Sequence, residues 1–173
     1  MASYDAGKRE VDNWIREHFP RGASCLDVGA CDGKWSDLLR DYLILDAVEI
    51  YQPNIIEHNL REKYHRCIAG DIADLNYNWY DLIIFGDVIE HLDVKKAQAV
   101  LAYAYTRCTD MIIGVPYQYV QDELYGNPWE KHIQDDLTEA LFRERYPDYE
   151  ILYQAQRDYV YWHKKNADGK RIE

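Results

Sequence analysis

Five short apolar runs, each closed by glycine or an acidic residue and each followed by a helix-like stretch, constrain this chain more than any other feature. The runs are Ser24–Val28, Ile44–Ile50, His65–Ala69, Asp81–Phe85 and Met111–Val115, and the helical stretches lie near Lys34–Tyr42, Pro53–Lys63, Val94–Arg107 and Asp136–Tyr146. Near-continuous runs of about five residues rich in Val, Ile and Leu suit strands covered on both faces. Strands alternating with helices predict a parallel sheet with right-handed crossovers. A further helix over Lys8–Phe19 precedes the alternation, with Val11, Trp14, Ile15, His18 and Phe19 at steps of three and four, and Pro20-Arg21-Gly22 ends it. Asp136-Leu137-Thr138-Glu139 has the form of a capping box for the last helix.

The ending has a different period. Tyr149–Gln154 and Asp158–His163 alternate in polarity around a turn at Ala155–Arg157, which predicts a β-hairpin on the sheet edge. The expected fold is therefore α/β, a doubly wound, mostly parallel seven-stranded sheet with a C-terminal antiparallel hairpin. Residues 1–163 read as one domain and 164–173 as a charged, frayed tail.

Composition narrows the function classes. The 173 residues carry 20 Lys and Arg against 31 Asp and Glu, a net charge of −11, which argues against a phosphate-backbone footprint and so against nucleic acid as partner. No apolar run reaches the roughly 18–20 residues of a membrane helix. The opening Met-Ala-Ser-Tyr-Asp has no apolar stretch of the secretory kind. Cys25, Cys31, Cys67 and Cys108 form no C-x-x-C pair, so neither a disulfide framework nor a zinc knuckle is expected and a cytoplasmic setting fits.

Ligands of open α/β sheets bind at the carboxyl ends of the strands. Four such tips carry the chemistry: Asp27-Val28-Gly29-Ala30-Cys31-Asp32-Gly33, Glu49-Ile50-Tyr51, Gly70-Asp71-Ile72 and Gly86-Asp87-Val88-Ile89-Glu90-His91. Carboxylates repeated along one crevice point to a ligand with hydroxyls and amines. The first tip fails both phosphate fingerprints. Counting from Gly29, G-x-G-x-x-G meets Cys31 and Lys34, and the P-loop spacing is too short, with Trp35 in place of Ser or Thr.

Together these tips resemble the class I S-adenosylmethionine-dependent methyltransferases. Leu26–Gly33 is similar to their D-x-G-x-G-x-G element with Cys31 at the middle glycine, and Asp81–Leu92 to the D-x-I-x-x-x-D-V-x-E-H-L stretch of one large subgroup. The resemblance implies S-adenosylmethionine as cofactor. Glu49 would accept both ribose hydroxyls, Asp71 the adenine amino group, and the Ile72 amide would meet a ring nitrogen. Gly29, Ala30 and Cys31 would run along the methionine portion, with Trp35 packed beneath. Asp27, Ile50, Tyr51, Asp87 and Val88 complete the expected cofactor set.

His132, His91 and Asp87 are the expected catalytic residues, the histidines as bases toward an acceptor hydroxyl. Asp87-x-x-Glu90-His91 is similar to an E-x-x-E-H element that helps hold a divalent metal in some relatives. Here Asp replaces the first Glu, and no metal is expected. Pro116–Gln134 lacks periodicity, and its Asn127-Pro128-Trp129-Glu130-Lys131-His132 resembles an N-P-x-E-x-H element, which makes this segment the acceptor-side wall. His18 and His163 fall where core or surface roles are expected. A small-molecule acceptor follows, with a non-catalytic cofactor-binding module or a protein or RNA methyltransferase as alternatives. With one short N-terminal helix and no inserted lid, the acceptor site leaves room for a homodimer mate or a large substrate to complete it.

Overall fold

The structure, a computed structural model, describes residues 5–156 and 158–167. Seven strands form one sheet: β1 (Ser24–Val28), β2 (Ile44–Glu49), β3 (Arg66–Ala69), β4 (Tyr80–Gly86), β5 (Cys108–Pro116), β6 (Glu150–Gln156) and β7 (Tyr159–Lys165). Their order is β3-β2-β1-β4-β5-β7-β6. The first five pair in parallel, while β7 runs antiparallel to both β5 and β6. The expected fold class is the one observed.

Alternation along β4 shows how the sheet is covered. Ile83 and Phe85 join a core with helices α5 (Val94–Tyr105) and α6 (Glu139–Arg145), while Leu82 and Ile84 join the core on the opposite face. That second core is built by α1 (Lys8–His18), α2 (Lys34–Leu39), α3 (Gln52–Glu57) and α4 (Leu60–Lys63). Each β4 residue from Leu82 to Phe85 is fully buried, as expected of a strand between two helical layers. On α5 the buried Ala97, Val100, Leu101 and Ala104 trace one stripe, and Asp93 caps the helix by accepting from the Lys96 amide at 3.0 Å.

Several boundaries differ from expectation for physical reasons. The Pro53–Lys63 stretch is two helices, because Asn59 adopts a left-handed φ of 52° and resets the axis so that Leu60 is buried. The last helix is capped by Thr138, which accepts from the Leu141 amide; Asp136 instead pairs with Arg145 at 2.6 Å. Strand β5 starts at Cys108 because buried Asp110, a polar residue that hides the pattern, is matched by His163 Nε2 at 2.7 Å. Lys164 and Lys165 belong to β7 and not to a tail, since they pair with Met111 and Asp110. Arg157 of the expected hairpin turn and residues 168–173 lie outside the described residues. Among the described residues no helix is long and apolar enough to cross a membrane.

Phe142 is the one buried side chain of the seven-residue α6, and its ring stacks on Trp162 of β7 at 4.3 Å and 8°. Phe142→Ala is expected to cost about 3–5 kcal/mol in urea unfolding with an unchanged denaturant slope. A loss below about 1 kcal/mol would mean that α6 adds little to the core.

Candidate active site

At the carboxyl ends of the parallel strands lies a cavity of about 320 Å³, reached by the tips after β1, β2, β3, β4 and β5. Of the expected site residues, Gly29, Cys31, Glu49, Ile50, Asp71, Ile72, Asp87, Val88, His91 and His132 line it. Asp27, Ala30, Trp35 and Tyr51 do not. They form the layer behind or contribute backbone.

The loop after β1 turns through three left-handed residues, Gly29 (φ 73°), Cys31 (φ 48°) and Gly33 (φ 83°). Gly29 is obligatory on a second count, since a Cβ there would lie 2.7 Å from Val88 Cγ2. Cys31 holds a conformation that glycine adopts at no cost, which explains why it aligns with a glycine in the resemblance. Its thiol is pushed up to about 12 by burial, with Asp32 adding to the effect, so it is no nucleophile at neutral pH.

Glu49 is 4% exposed and organises two tips at once. Its Oε2 accepts from the Cys31 amide and its Oε1 from the Tyr51 amide, both at 2.8 Å. Burial raises its pKa and these two amides hold it down. Asp71 accepts from the Ala73 amide at 2.9 Å and from Lys96 Nζ at 2.7 Å, so its carboxylate caps the following 3₁₀ turn and is ion-paired. Asp87, left-handed at φ 55°, accepts from the Tyr159 hydroxyl at 2.8 Å. Asp27 lies beneath, 1% exposed, and accepts from the Tyr64 hydroxyl. Trp35 sits behind Gly86.

A second constellation forms where the segment after β5 folds back on the loop after β4. Gln134 is 3% exposed and donates to the Ile89 and Leu92 carbonyls at 2.8 and 2.9 Å, while its Oε1 accepts from Tyr146 and Arg145. The Ile133 and Gln134 amides both donate to the Glu90 carbonyl. This clamp brings the His132 ring 4.7 Å from that of His91, edge to face. Ligand atoms of Glu90, His91 and His132 then lie within 4.8 Å of one another.

Each histidine ties its Nδ1 to a main-chain carbonyl, His91 to that of Lys131 at 3.1 Å and His132 to that of Tyr119 at 2.8 Å. Burial lowers both imidazole pKa values, leaving neutral rings whose Nε2 is the basic nitrogen. Glu90 is fully buried, and neither of its carboxylate oxygens has a hydrogen-bond partner. Burial, with Asp87 adding, raises its pKa well above the usual range.

The aromatic wall expected from Pro116–Gln134 is partly realised. Tyr117, Tyr119, Trp129 and His132 line the cavity, whereas Tyr125 stands 92% exposed outside it. His18 stacks on Trp14 and His163 meets Asp110, both away from the cavity. The residues that sequence reasoning missed are Gln134, Tyr159 and Tyr64, each of which acts through a tertiary contact that leaves no local pattern.

Neither a family profile nor a curated protein matches the sequence. Solved structures do match. A 1,6-didemethyltoxoflavin-N1-methyltransferase of Burkholderia thailandensis, with 1,6-didemethyltoxoflavin and S-adenosylhomocysteine bound, is similar at TM-score 0.68 and 18% identity over 91% of this chain and 76% of that one. An S-adenosylmethionine-dependent methyltransferase of Clostridium acetobutylicum is similar at 0.68 and 13%, covering 90% and 88%. A magnesium protoporphyrin IX methyltransferase of Synechocystis is similar at 0.65 and 15%, covering 91% and 81%. The chain has the Rossmann-like fold of these methyltransferases.

Burial pushes the Asp27 carboxyl up to about 6, against the opposing pull of Tyr64 and Lys8. An acid bound more tightly to its proton in the folded state lowers stability as pH rises from about 4 to 6, by roughly 2–3 kcal/mol in all. Asp27→Asn keeps the acceptor for Tyr64 and is expected to be more stable than the parent by about that amount at pH 8. The gap should close below pH 4 in parallel urea melts. A gap independent of pH would contradict this assignment.

Proposed function

We propose that this chain is an S-adenosylmethionine-dependent methyltransferase acting on a small-molecule acceptor with an oxygen or nitrogen nucleophile. The observation that carries the reading is the position of Glu49, a buried carboxylate at the end of β2 that ties down the Cys31 and Tyr51 amides beside the cavity. The two amides and the Asn54 side chain leave part of this carboxylate's lone-pair capacity unused, and a ribose hydroxyl fits the remainder. The three solved relatives are each described as methyltransferases, and two carry bound S-adenosylhomocysteine, which supports the cofactor.

The cofactor supplies an electrophilic sulfonium methyl, and this chain's residues supply position, charge and a proton acceptor. Gly29 to Cys31 line the methionine portion with backbone. Asp71 and the Ile72 amide address the adenine, with Lys96 holding Asp71 in place. Asp87, fixed by Tyr159, faces the cationic centre. Tyr117, Tyr119 and Trp129 wall the acceptor side. In this arrangement a neutral His132 or His91 Nε2 takes the proton of an acceptor hydroxyl.

Calorimetric titration with S-adenosylmethionine and S-adenosylhomocysteine tests the cofactor. Micromolar binding is expected, weakened by tenfold or more in Glu49→Ala. Absence of binding by the parent protein would overturn the enzyme reading in favour of a structural relative.

The orphaned Glu90 oxygens favour a second role for the histidine pair. Two histidines and one carboxylate, with both Nδ1 atoms already oriented by carbonyls, fit a divalent cation, contrary to the expectation of no metal. Glu90, His91 and His132 would then hold the metal, which would orient and acidify the acceptor hydroxyl. Both roles predict that His132→Ala lowers turnover far more than cofactor affinity. Only the metal role predicts that Mn²⁺ or Co²⁺ binds at one equivalent in calorimetry and is lost in Glu90→Gln as well as His132→Ala. No binding by the parent protein would leave the histidines as bases alone.

A further inference from the structure

The acidic side chains on the cavity wall have no basic counterpart there. Glu49, Asp71, Asp87, Glu130 and Asp158 line the cavity, and among the described residues no lysine or arginine does. Glu49, Asp71 and Asp87 belong to the cofactor side, where donors of the chain hold each of them. Glu130 and Asp158 stand on the acceptor side, and the chemistry proposed above gives neither a role.

Glu130 is built into its place. It ends a 3₁₀ turn, Pro128–Glu130, which the buried Asn127 caps by accepting from the Trp129 amide at 3.1 Å. The same Asn127 side chain donates to Glu130 Oε1 at 3.4 Å. Gln121 Nε2 donates to Glu130 Oε2 at 3.3 Å and to the Glu130 carbonyl at 2.6 Å. Both amides are neutral, so they orient the carboxylate and add no positive charge. Burial is the main cause of the raised Cys31 and Glu49 pKa values and of the lowered His91 and His132 values. The Glu130 charge adds to the first effect and opposes the second. A charge felt on both sides stands where cofactor and acceptor meet.

Beside Glu130 the wall is aromatic. Trp129 and Tyr119 line the cavity and are half-exposed, and the Tyr119 ring meets that of His132 at 5.5 Å, edge to face. Tyr117, whose hydroxyl accepts from the Trp162 indole at 3.1 Å, continues the wall. A purely apolar ligand would strip water from the carboxylate and return nothing for it. A cation reverses that balance, since it binds the carboxylate through charge-assisted hydrogen bonds and the ring faces through their quadrupoles. The net charge of −11 steers ligands of the same sign toward the cavity.

We infer that the acceptor is an organic cation, with a protonated amine held between the Glu130 carboxylate and the Trp129 and Tyr119 rings and a separate nucleophilic atom presented to His132. This inference rests on the methyltransferase reading and names its substrate class. The ammonium is a handle and not the nucleophile, because a protonated nitrogen has no lone pair to offer a methyl group. Asp158 adds to the same field.

Three phenols of one skeleton test the sign of the recognised charge by calorimetry: tyramine carries an ammonium, para-ethylphenol is neutral and para-hydroxyphenylacetate carries a carboxylate. Benzylamine and agmatine present the cation on other skeletons. With S-adenosylhomocysteine bound, tyramine is expected to bind about 10-fold or more tighter than para-ethylphenol, and para-hydroxyphenylacetate more weakly than either. Glu130→Gln keeps the size and removes the charge, and should shrink that preference to within about threefold. S-adenosylhomocysteine, whose sulfur is uncharged, should keep its affinity in this variant. Trp129→Leu, at a half-exposed position, should weaken tyramine by about threefold or more and para-ethylphenol less. Binding of none of the cations, equal binding of tyramine and para-ethylphenol, or a full preference kept by Glu130→Gln overturns the cationic handle. If S-adenosylhomocysteine still binds, the cofactor reading stands; a parent protein that does not bind it overturns both.

Discussion

The site depends on one topological constraint, the reversal of strand order at β1. From β1 the chain winds outward through β2 to β3, then crosses back to lay β4 on the other side of β1. The helices after β1 and β2 therefore cover one face, and α5, after β4, covers the other. The loops after β1 and β4 must part, and the gap at that switch point is where a ligand can enter. Val28 and Gly29 line one side of the gap, Gly86 and Asp87 the other. The antiparallel β7 beside β5 then supplies Tyr159, whose hydroxyl fixes Asp87 from the far side.

What was legible in the sequence is what depends on period and punctuation. The run Asp81–Phe85 could only be a strand buried on both faces, and the residue after such a run must sit at the carboxyl edge. The strand-end positions of Glu49, Asp71 and Asp87 were legible from that geometry, while their roles toward a cofactor were what the resemblance implied. Two other features resisted for physical reasons. The segment through Asn59 carries good helix formers on both sides, and its break is set by the need to bury Leu60. Gln134 has the composition of a loop residue, yet its side-chain hydrogen bonds tie the loop after β4 to the end of α6. Trp35, expected beneath the methionine portion of a cofactor, lies behind Gly86 and not in the cavity lining.

The same distinction separates structural from ligand-facing polarity. A buried polar group must find a partner in the fold or in something the fold binds. Glu49, Asp27, Asp71 and Asp87 each have a named donor from the chain, so their burial is compatible with folding before any ligand arrives. Those donors come from different elements: the β1 loop, the end of α4, α5 and β7. The acids thereby bind the loops of the crevice together as well as shaping its potential.

Glu90 and Lys8 depart from this pattern. Lys8 Nζ has no hydrogen-bond partner and lies over the Trp35 ring, where Asp87 and Asp27 are the carboxylates whose charge attracts it, and it does not line the cavity. Glu90 has two oxygens without a partner, and its neighbours His91 and His132 do line the cavity. Burial and the nearby Asp87 raise its pKa, so this acid keeps its proton unless a cation held with the two imidazoles displaces it. An apolar side chain at position 90 would remove that burial cost, and a carboxyl group retained there beside two oriented imidazoles argues for a ligand on the acceptor side.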